Sequence, residues 1–187
     1  MKQLILASAS PRRQELLEKC GYPFLVDVAN IDESINPSLG LSREIMRISK
    51  EKAKVVLARH QDAVVIGSDT IVTLENEVLG KPQDEKDAVR MLKMLSGQTH
   101  QVITGLCILS SKKEFVGVSV SDVTFEILSE EEINRYVETK EPLDKAGAYA
   151  IQGIASRYIK EIHGDYYAIM GLPVSLVYEE RKNLSEY

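Results

Sequence analysis

Ala63-Val64-Val65-Ile66-Gly67-Ser68-Asp69-Thr70 is an apolar run that gives way abruptly to three polar residues. Such a run is the mark of a central strand covered on both sides, and its polar end places Ser68, Asp69 and Thr70 at the carboxyl end of that strand. Towards the N-terminus, Leu4 to Ala7 is a second short buried strand. Ser10-Pro11 behind it starts a helix to about Cys20, with serine as N-cap and proline at the first helical position. Leu16, Leu17 and Cys20 supply that helix's apolar face, Gly21 its stop, and Phe24 to Val28 a further strand. A loop from Ala29 to Leu41 leads to a long helix, Ser42 to about His60, whose Ile45, Met46, Ile48, Ala53, Val56 and Leu57 fit one broad face.

Beyond the decisive run, Ile71 to Leu74 and Val78-Leu79 form a hairpin about Glu75-Asn76-Glu77, followed by Gly80-Lys81-Pro82 and a helix from Asp84 to Leu95. Thr99 to Leu109 and Glu114 to Leu128 are two long strands joined at Ser110 to Lys113. Ser129 caps a helix to about Thr139. Pro142 to Gly153 is loop-like, and its Ala146-Gly147-Ala148 lets backbone approach a ligand closely. A strand at Tyr158 to Ile162, a turn at His163-Gly164-Asp165 and a helix from Pro173 to Leu184 follow. The alternation is α/β with a mixed sheet, because hairpins interrupt the βαβ pattern of a parallel one. With no internal repeat and no linker, residues 1–187 read as one domain.

Composition narrows the partners. The chain has 187 residues, 44% hydrophobic and 27% charged, with 23 basic against 28 acidic residues and a net charge of −5. That is an ordinary globular composition, and an acidic chain lacks the broad basic surface that a nucleic acid requires. An anionic ligand is therefore a small one. Cys20 and Cys107 lie in or beside apolar segments and read as buried thiols of a reducing compartment. Leu4-Ile5-Leu6 before Ala7-Ser8-Ala9 imitates a signal peptide but is too short for one. No apolar run approaches the 18 residues of a membrane span, so the expectation is a cytoplasmic protein.

Arg12 and Arg13 occupy a first helical turn, where the dipole disfavours cations. With the Ser8 and Ser10 hydroxyls and free backbone N–H groups they make a trap for a phosphate chain, although surface arginines paired with Glu15 are the ordinary alternative. Asp69, at a strand end where open α/β sheets bind ligands, suits a hard metal ion, and a turn-capping aspartate explains it equally well. Asp32-Glu33, in a loop of about a dozen residues, offers a second carboxylate. Lys52 lies in a run with Lys50 and Lys54 that a solvated helix face would explain. Lys81 is better placed, between glycine and proline. Phosphate-loop, dinucleotide, zinc-protease and serine-hydrolase signatures are absent. Two cysteines and three histidines have no zinc spacing, so oxygen-bound Mg²⁺ or Mn²⁺ fits better.

Ser8-Ala9-Ser10-Pro11-Arg12-Arg13, Gly67-Ser68-Asp69-Thr70, Gly80-Lys81-Pro82, Ser96-Gly97 with His100, Val102 and Thr104-Gly105, Asp144 to Tyr149, and Gly164-Asp165 to Gly171-Leu172-Pro173 together resemble the Maf family of nucleoside triphosphate pyrophosphatases. The resemblance spans nearly the whole chain in the right order. It implies an inosine triphosphatase-like fold, an elongated mixed sheet flanked by helices with a nucleotide cleft between two lobes. Ala146 to Gly153 resembles the dTTP/UTP branch rather than the branch acting on 7-methyl-GTP, which has glutamate where this chain has Gln152. The resemblance implies Asp69 as proton acceptor and Arg12, Thr70 and Gln152 as specificity positions. It implies Ser8, Arg13, Glu33, Lys52 and Lys81 as phosphate- and metal-handling positions, with Mg²⁺ or Mn²⁺ on Glu33 and Asp69.

The expected reaction splits a pyrimidine nucleoside triphosphate between the α- and β-phosphates, with Arg12, Arg13 and Lys81 stabilising the leaving diphosphate. An aspartate of ordinary pKa, about 3.9, is a weak base, which leaves three roles open for Asp69: acting on water polarised by the cation, having a raised pKa, or serving chiefly as metal ligand. The alternatives are a nucleotide-binding regulator of septum formation and a purine triphosphate pyrophosphatase acting on inosine or 7-methyl-GTP. A homodimer is left open.

Overall fold

β1 (Leu4–Leu6) is buried at every residue and pairs in parallel on both sides, with β2 (Phe24–Val26) through Leu4 and Phe24 and with β3 (Val64–Leu74) through Leu4 and Val64. The computed structural model describes residues 2–185, and the chain forms two compact units whose boundary falls inside β3, after Asp69. Among the described residues the strands form one mixed seven-stranded sheet in the order β2-β1-β3-β5-β6-β7, with β4 paired to β3. The expected α/β class and mixed sheet are what the structure contains.

Among the described residues, the first unit comprises 2–69, 104–119 and 171–185. α1 (Pro11–Glu18) starts at Ser10, whose hydroxyl accepts from Arg13 N, and buries Leu16 and Leu17. α2 (Leu41–Arg59) begins one residue earlier than the sequence suggests, with Gly40 rather than a side chain at its N-cap. It buries Ile45, Ile48, Ala53 and Val56, and Ala53 and Val56 join Ile5, Val65 and Cys107 in one core cluster. Two glycines set how close α2 lies. A Cβ on Gly67 would stand 2.1 Å from Ser49 O and 2.9 Å from Ala53 N, and one on Gly105 would stand 2.6 Å from Ile45 O. Only hydrogen at these positions admits the helix backbone at such a distance.

The second unit comprises Thr70–Ile103 and Val120–Met170. β4 (Glu77–Leu79) folds back on β3 as an antiparallel hairpin, with Glu75 at φ 51° and Asn76 at φ 69° as its turn pair. α3 (Glu85–Leu95) starts at Asp84, which accepts from Asp87 N at 2.8 Å. β5 (Thr99–Ser110) and β6 (Glu114–Phe125) are the two long strands, both continuing into the first unit. β6 ends at Phe125 rather than Leu128, because the ladder with β7 (Ile159–His163) is irregular between Thr124 and Phe125; beyond it Glu126 N turns to Tyr158 O and Leu128 N to Ser96 Oγ. α4 (Glu130–Glu138) carries a capping box from Ser129 and Glu132. Short 3-10 turns follow at Glu141–Asp144, Ala146–Ala148 and Ile154–Tyr158. α5 (Tyr166–Met170), where the sequence suggests only a connection after the turn at Asp165, opens on the Asp165 carboxylate accepting from Tyr167 N and Ala168 N. α6 (Val174–Ser185) follows.

Both cysteines are free and buried, as expected, and burial pushes the Cys107 thiol up to about 12. No helix among the described residues is long and apolar enough to cross a membrane.

Candidate active site

Ser68, Asp69 and Thr70 do not end a strand. They lie in the middle of the 11-residue β3, which corrects the expectation of a strand terminus at Asp69. Polar residues are tolerated there because other elements satisfy them. Ser68 is fully buried, and its hydroxyl lies 2.8 Å from Gly105 O and 3.1 Å from Gly171 O. Side chains alternate along a strand, so Asp69 shares the face of Gly67, the residue against which α2 packs. One helical turn after Ser49, Lys52 meets it: Lys52 Nζ donates to Asp69 Oδ1 at 2.8 Å and lies 2.9 Å from Glu33 Oε1.

Lys52 is only 5% exposed, so the solvated-face explanation of its lysine run fails at this residue. Lys50, two positions earlier, does reach outward, to Glu114. The loop that brings Glu33 to Lys52 is pinned on both sides. Ser34 N donates to Asp32 Oδ1, Asn36 N donates to Glu44 Oε2, and Arg47 Nη2 donates to Ser34 O, each at 2.9–3.0 Å. The Ser34 N–H holds the Asp32 carboxyl below the usual range, and Arg47, whose Nε donates to Glu44 Oε1 at 3.0 Å, is the chief cause of the same fall at Glu44. Glu44 and Arg47 stand in no motif of the sequence; their i,i+3 spacing is the one signal of their pairing.

Arg13 turns inward rather than to Glu15. Its Nε donates to Gly171 O at 2.9 Å and its Nη1 to Ser8 Oγ at 3.2 Å, while Nη2 lies 3.9 Å from Asp69 Oδ1. Burial lowers its pKa and Arg12 adds to the fall, while Asp69 acts in the opposite sense; a guanidinium stays charged regardless. Ser8 is 7% exposed and also accepts from Ser10 N. Arg12, on the same turn, is half-buried. The first unit thus gathers Ser8, Arg13, Glu33, Lys52 and Asp69, with Arg12 beside them. The two cations Arg13 and Lys52 and the two carboxylates Glu33 and Asp69 balance in charge.

Glu33 and Asp69 are hard oxygen donors suited to Mg²⁺ or Mn²⁺, but Lys52 already spans them. No group of three or more His, Cys, Asp or Glu among the described residues is arranged to hold a metal ion. Such a pair fits an ion completed by substrate oxygens, the usual manner of Mg²⁺.

In the second unit Thr70 is half-buried, and Lys81 and Gln152 are exposed. Gly147 N donates to Gly80 O at 3.1 Å, which ties the Lys81 turn to the Ala146–Ala148 segment. That segment bends through Gly147 at φ 69° and Ala148 at φ 58°, and a Cβ on Gly147 would stand 2.8 Å from Val72. Tyr149, next in the chain, lies 2.7 Å from the Nε2 of buried His100.

A family model described as Maf-like protein matches residues 3–184. The chain belongs to the Maf family. Full-length relatives agree with the match. A Bacillus cereus (strain ATCC 10987 / NRS 248) protein is 46% identical over 185 residues, covering 99% of this chain and 91% of its own length. A Bacillus thuringiensis subsp. konkukian protein is 46% identical, covering 99% and 97%, and a Bacillus anthracis protein 45% identical with the same coverage. All three relatives of this Maf chain are named dTTP/UTP pyrophosphatase.

Proposed function

We propose that the chain is a cytoplasmic nucleoside triphosphate pyrophosphatase that hydrolyses dTTP and UTP to the monophosphate and diphosphate, within a single nucleotide pyrophosphatase domain. The observation that carries the reading is the buried Lys52 ammonium shared by Glu33 and Asp69 beside the inward-facing Arg13. This arrangement of fixed charges suits phosphoryl chemistry, where positioning and electrostatic stabilisation do most of the work. The names of the full-length relatives support the choice of bond and bases.

In this mechanism Arg13, steered by Ser8 and the Gly171 carbonyl, and Arg12 bind phosphate oxygens and stabilise the leaving diphosphate. Lys52 engages Asp69 Oδ1 and orients the carboxylate, and Asp69 takes the proton of the attacking water at Oδ2. Glu33 and Asp69 would hold Mg²⁺ or Mn²⁺, and the ion would supply charge neutralisation when bound. Lys81 acts on phosphate oxygens, and Thr70, Gln152 and Arg12 select the base. A primary amide can meet the N–H and the adjacent carbonyl of uracil or thymine.

The test is product analysis with a nucleotide panel. UTP should give UMP and diphosphate, dTTP should be hydrolysed comparably, and chelation should abolish turnover until Mg²⁺ or Mn²⁺ is restored. Formation of UDP and orthophosphate, or preference for inosine or 7-methylguanosine triphosphates, overturns the assignment.

A further inference from the structure

Glu141 is a half-buried carboxylate whose bonds, among the described residues, go to no cation. It accepts from Tyr136 OH at 2.8 Å and from Ile154 N at 3.0 and 3.1 Å through its two oxygens. The same Tyr136 hydroxyl accepts from Ala150 N at 3.3 Å. Between these amides Gly153 N donates to Ala150 O at 3.0 Å, closing a tight turn with Gln152 inside it. The turn and the carboxylate are also fitted in shape: a Cβ on Gly153 would stand 2.5 Å from both Glu141 oxygens. The ring of Tyr136 is fully buried and stacks edge-on with Tyr158 at 5.7 Å, so the hydroxyl has a fixed base. The exposed Gln152 side chain therefore projects from a turn whose flanking amides, at 150 and 154, are both tied to one Tyr136–Glu141 pair.

We propose that Glu141, acting with Tyr136, is a positioning residue that fixes the turn carrying Gln152 and so sets how strongly the enzyme distinguishes uracil from cytosine. This rests on the assignment of Gln152 to base selection made above. The chemistry explains the need for a rigid mount. An amide presents an acceptor and a donor, uracil and cytosine demand them in opposite order, and a turn free to tilt can serve both bases. Burying a carboxylate against neutral donors costs desolvation, and here every bond it makes goes to the Gln152 turn or to the hydroxyl that also holds it.

The experiment measures kcat/KM for UTP, dTTP and CTP on the wild-type enzyme, Glu141→Gln, Tyr136→Phe and Gln152→Ala, with hydrogen exchange at the Ala150 and Ile154 amides. Glu141→Gln should speed exchange at Ile154 and lower the UTP-over-CTP ratio about five- to tenfold, below the ~10²-fold loss that misplacing a reacting group by 1 Å can cause. Tyr136→Phe, which keeps the buried ring and so guards against a Glu141 variant that fails to fold, should speed exchange at Ala150 and lower the same ratio. A merely structural role reduces the rates with all nucleotides together and leaves the ratio unchanged, and that result overturns the proposal. A wild-type enzyme without uracil preference, or a Gln152→Ala enzyme with an unchanged ratio, overturns the assignment of Gln152 and the proposal with it. If Gln152→Ala alters the ratio and neither tether variant does, the proposal alone falls.

Discussion

Gly67→Ala tests whether the close seating of α2 on β3 is what puts Lys52 on Asp69. Nothing in the backbone angles at Gly67 opposes alanine; only the space is missing. The added Cβ would start 2.1 Å from Ser49 O, and it needs at least 3.0 Å, so α2 must retreat by about 0.9 Å at that turn. The clash is with backbone, so no rotamer change relieves it. Lys52 follows Ser49 by three residues and moves with it. Its Nζ to Asp69 Oδ1 distance, 2.8 Å, then opens to about 3.7 Å, beyond a hydrogen bond. Overpacking of this kind costs about 1–3 kcal/mol, or about 2–12 °C in Tm for a chain of this size. With Asp69 no longer oriented, kcat should fall about 10–10²-fold, while KM changes less because Arg13 and Ser8 stand outside the displaced turn. Steady-state kinetics and thermal unfolding on the same preparation decide it. Wild-type kcat at a wild-type Tm refutes the close-approach reasoning, and a lower Tm with unchanged kcat separates the packing from the chemistry.

Asp69→Asn removes both the proposed proton acceptor and one of the two carboxylates on Lys52, so kcat should fall about 10²–10⁴-fold with a stability loss of about 1–3 kcal/mol, measured by kinetics and denaturant unfolding. Gln152→Glu should lower kcat/KM for UTP and dTTP by about 1–3 kcal/mol and raise the relative rate with 7-methyl-GTP, read from parallel kinetics on the four triphosphates UTP, dTTP, CTP and 7-methyl-GTP. Burial lowers the His100 imidazole from its ordinary 6.5 to about 4, against a weaker upward pull from Asp122. The unfolded chain therefore binds a proton there that the folded one refuses; the neutral His100 contributes its full stability above pH 6.5 and loses it as pH falls towards 4. His100→Gln should abolish that part of the acid destabilisation, on the order of 3 kcal/mol, in urea melts compared at pH 7 and pH 4.5.

Elements set by local chemistry are legible in the amino-acid order. Ser10-Pro11, Asp84 and Ser129 with Glu132 start their helices as serine, proline and acidic residues do anywhere, and Glu75-Asn76 turns the hairpin. The short motifs around Arg12, Asp69, Lys81 and Gly147 are legible as motifs. Where local signals fail, they fail for identifiable reasons. β3 runs on through Ser68, Asp69 and Thr70 although polar residues signal a strand end, because the partners that make them tolerable come from distant segments. α5 is too short to show a helical period, and β6 stops at a register shift that no residue type announces.

Periodicity, capping and charge are properties of neighbours along the chain. They suffice for most of the order of strands and helices and for the residues from which a site could be drawn. Which of those residues act together is a property of the folded molecule. Lys52 looks like its neighbours Lys50 and Lys54 along the chain, and it differs because glycines 67 and 105 bring its helix onto β3 and bury its ammonium between two carboxylates. Arg13 could equally have faced solvent, and Glu141 stands in no motif. Each acquires its contacts from a partner far away in sequence or on another element, and the energy of such a pairing depends on burial and distance, which a linear pattern does not contain.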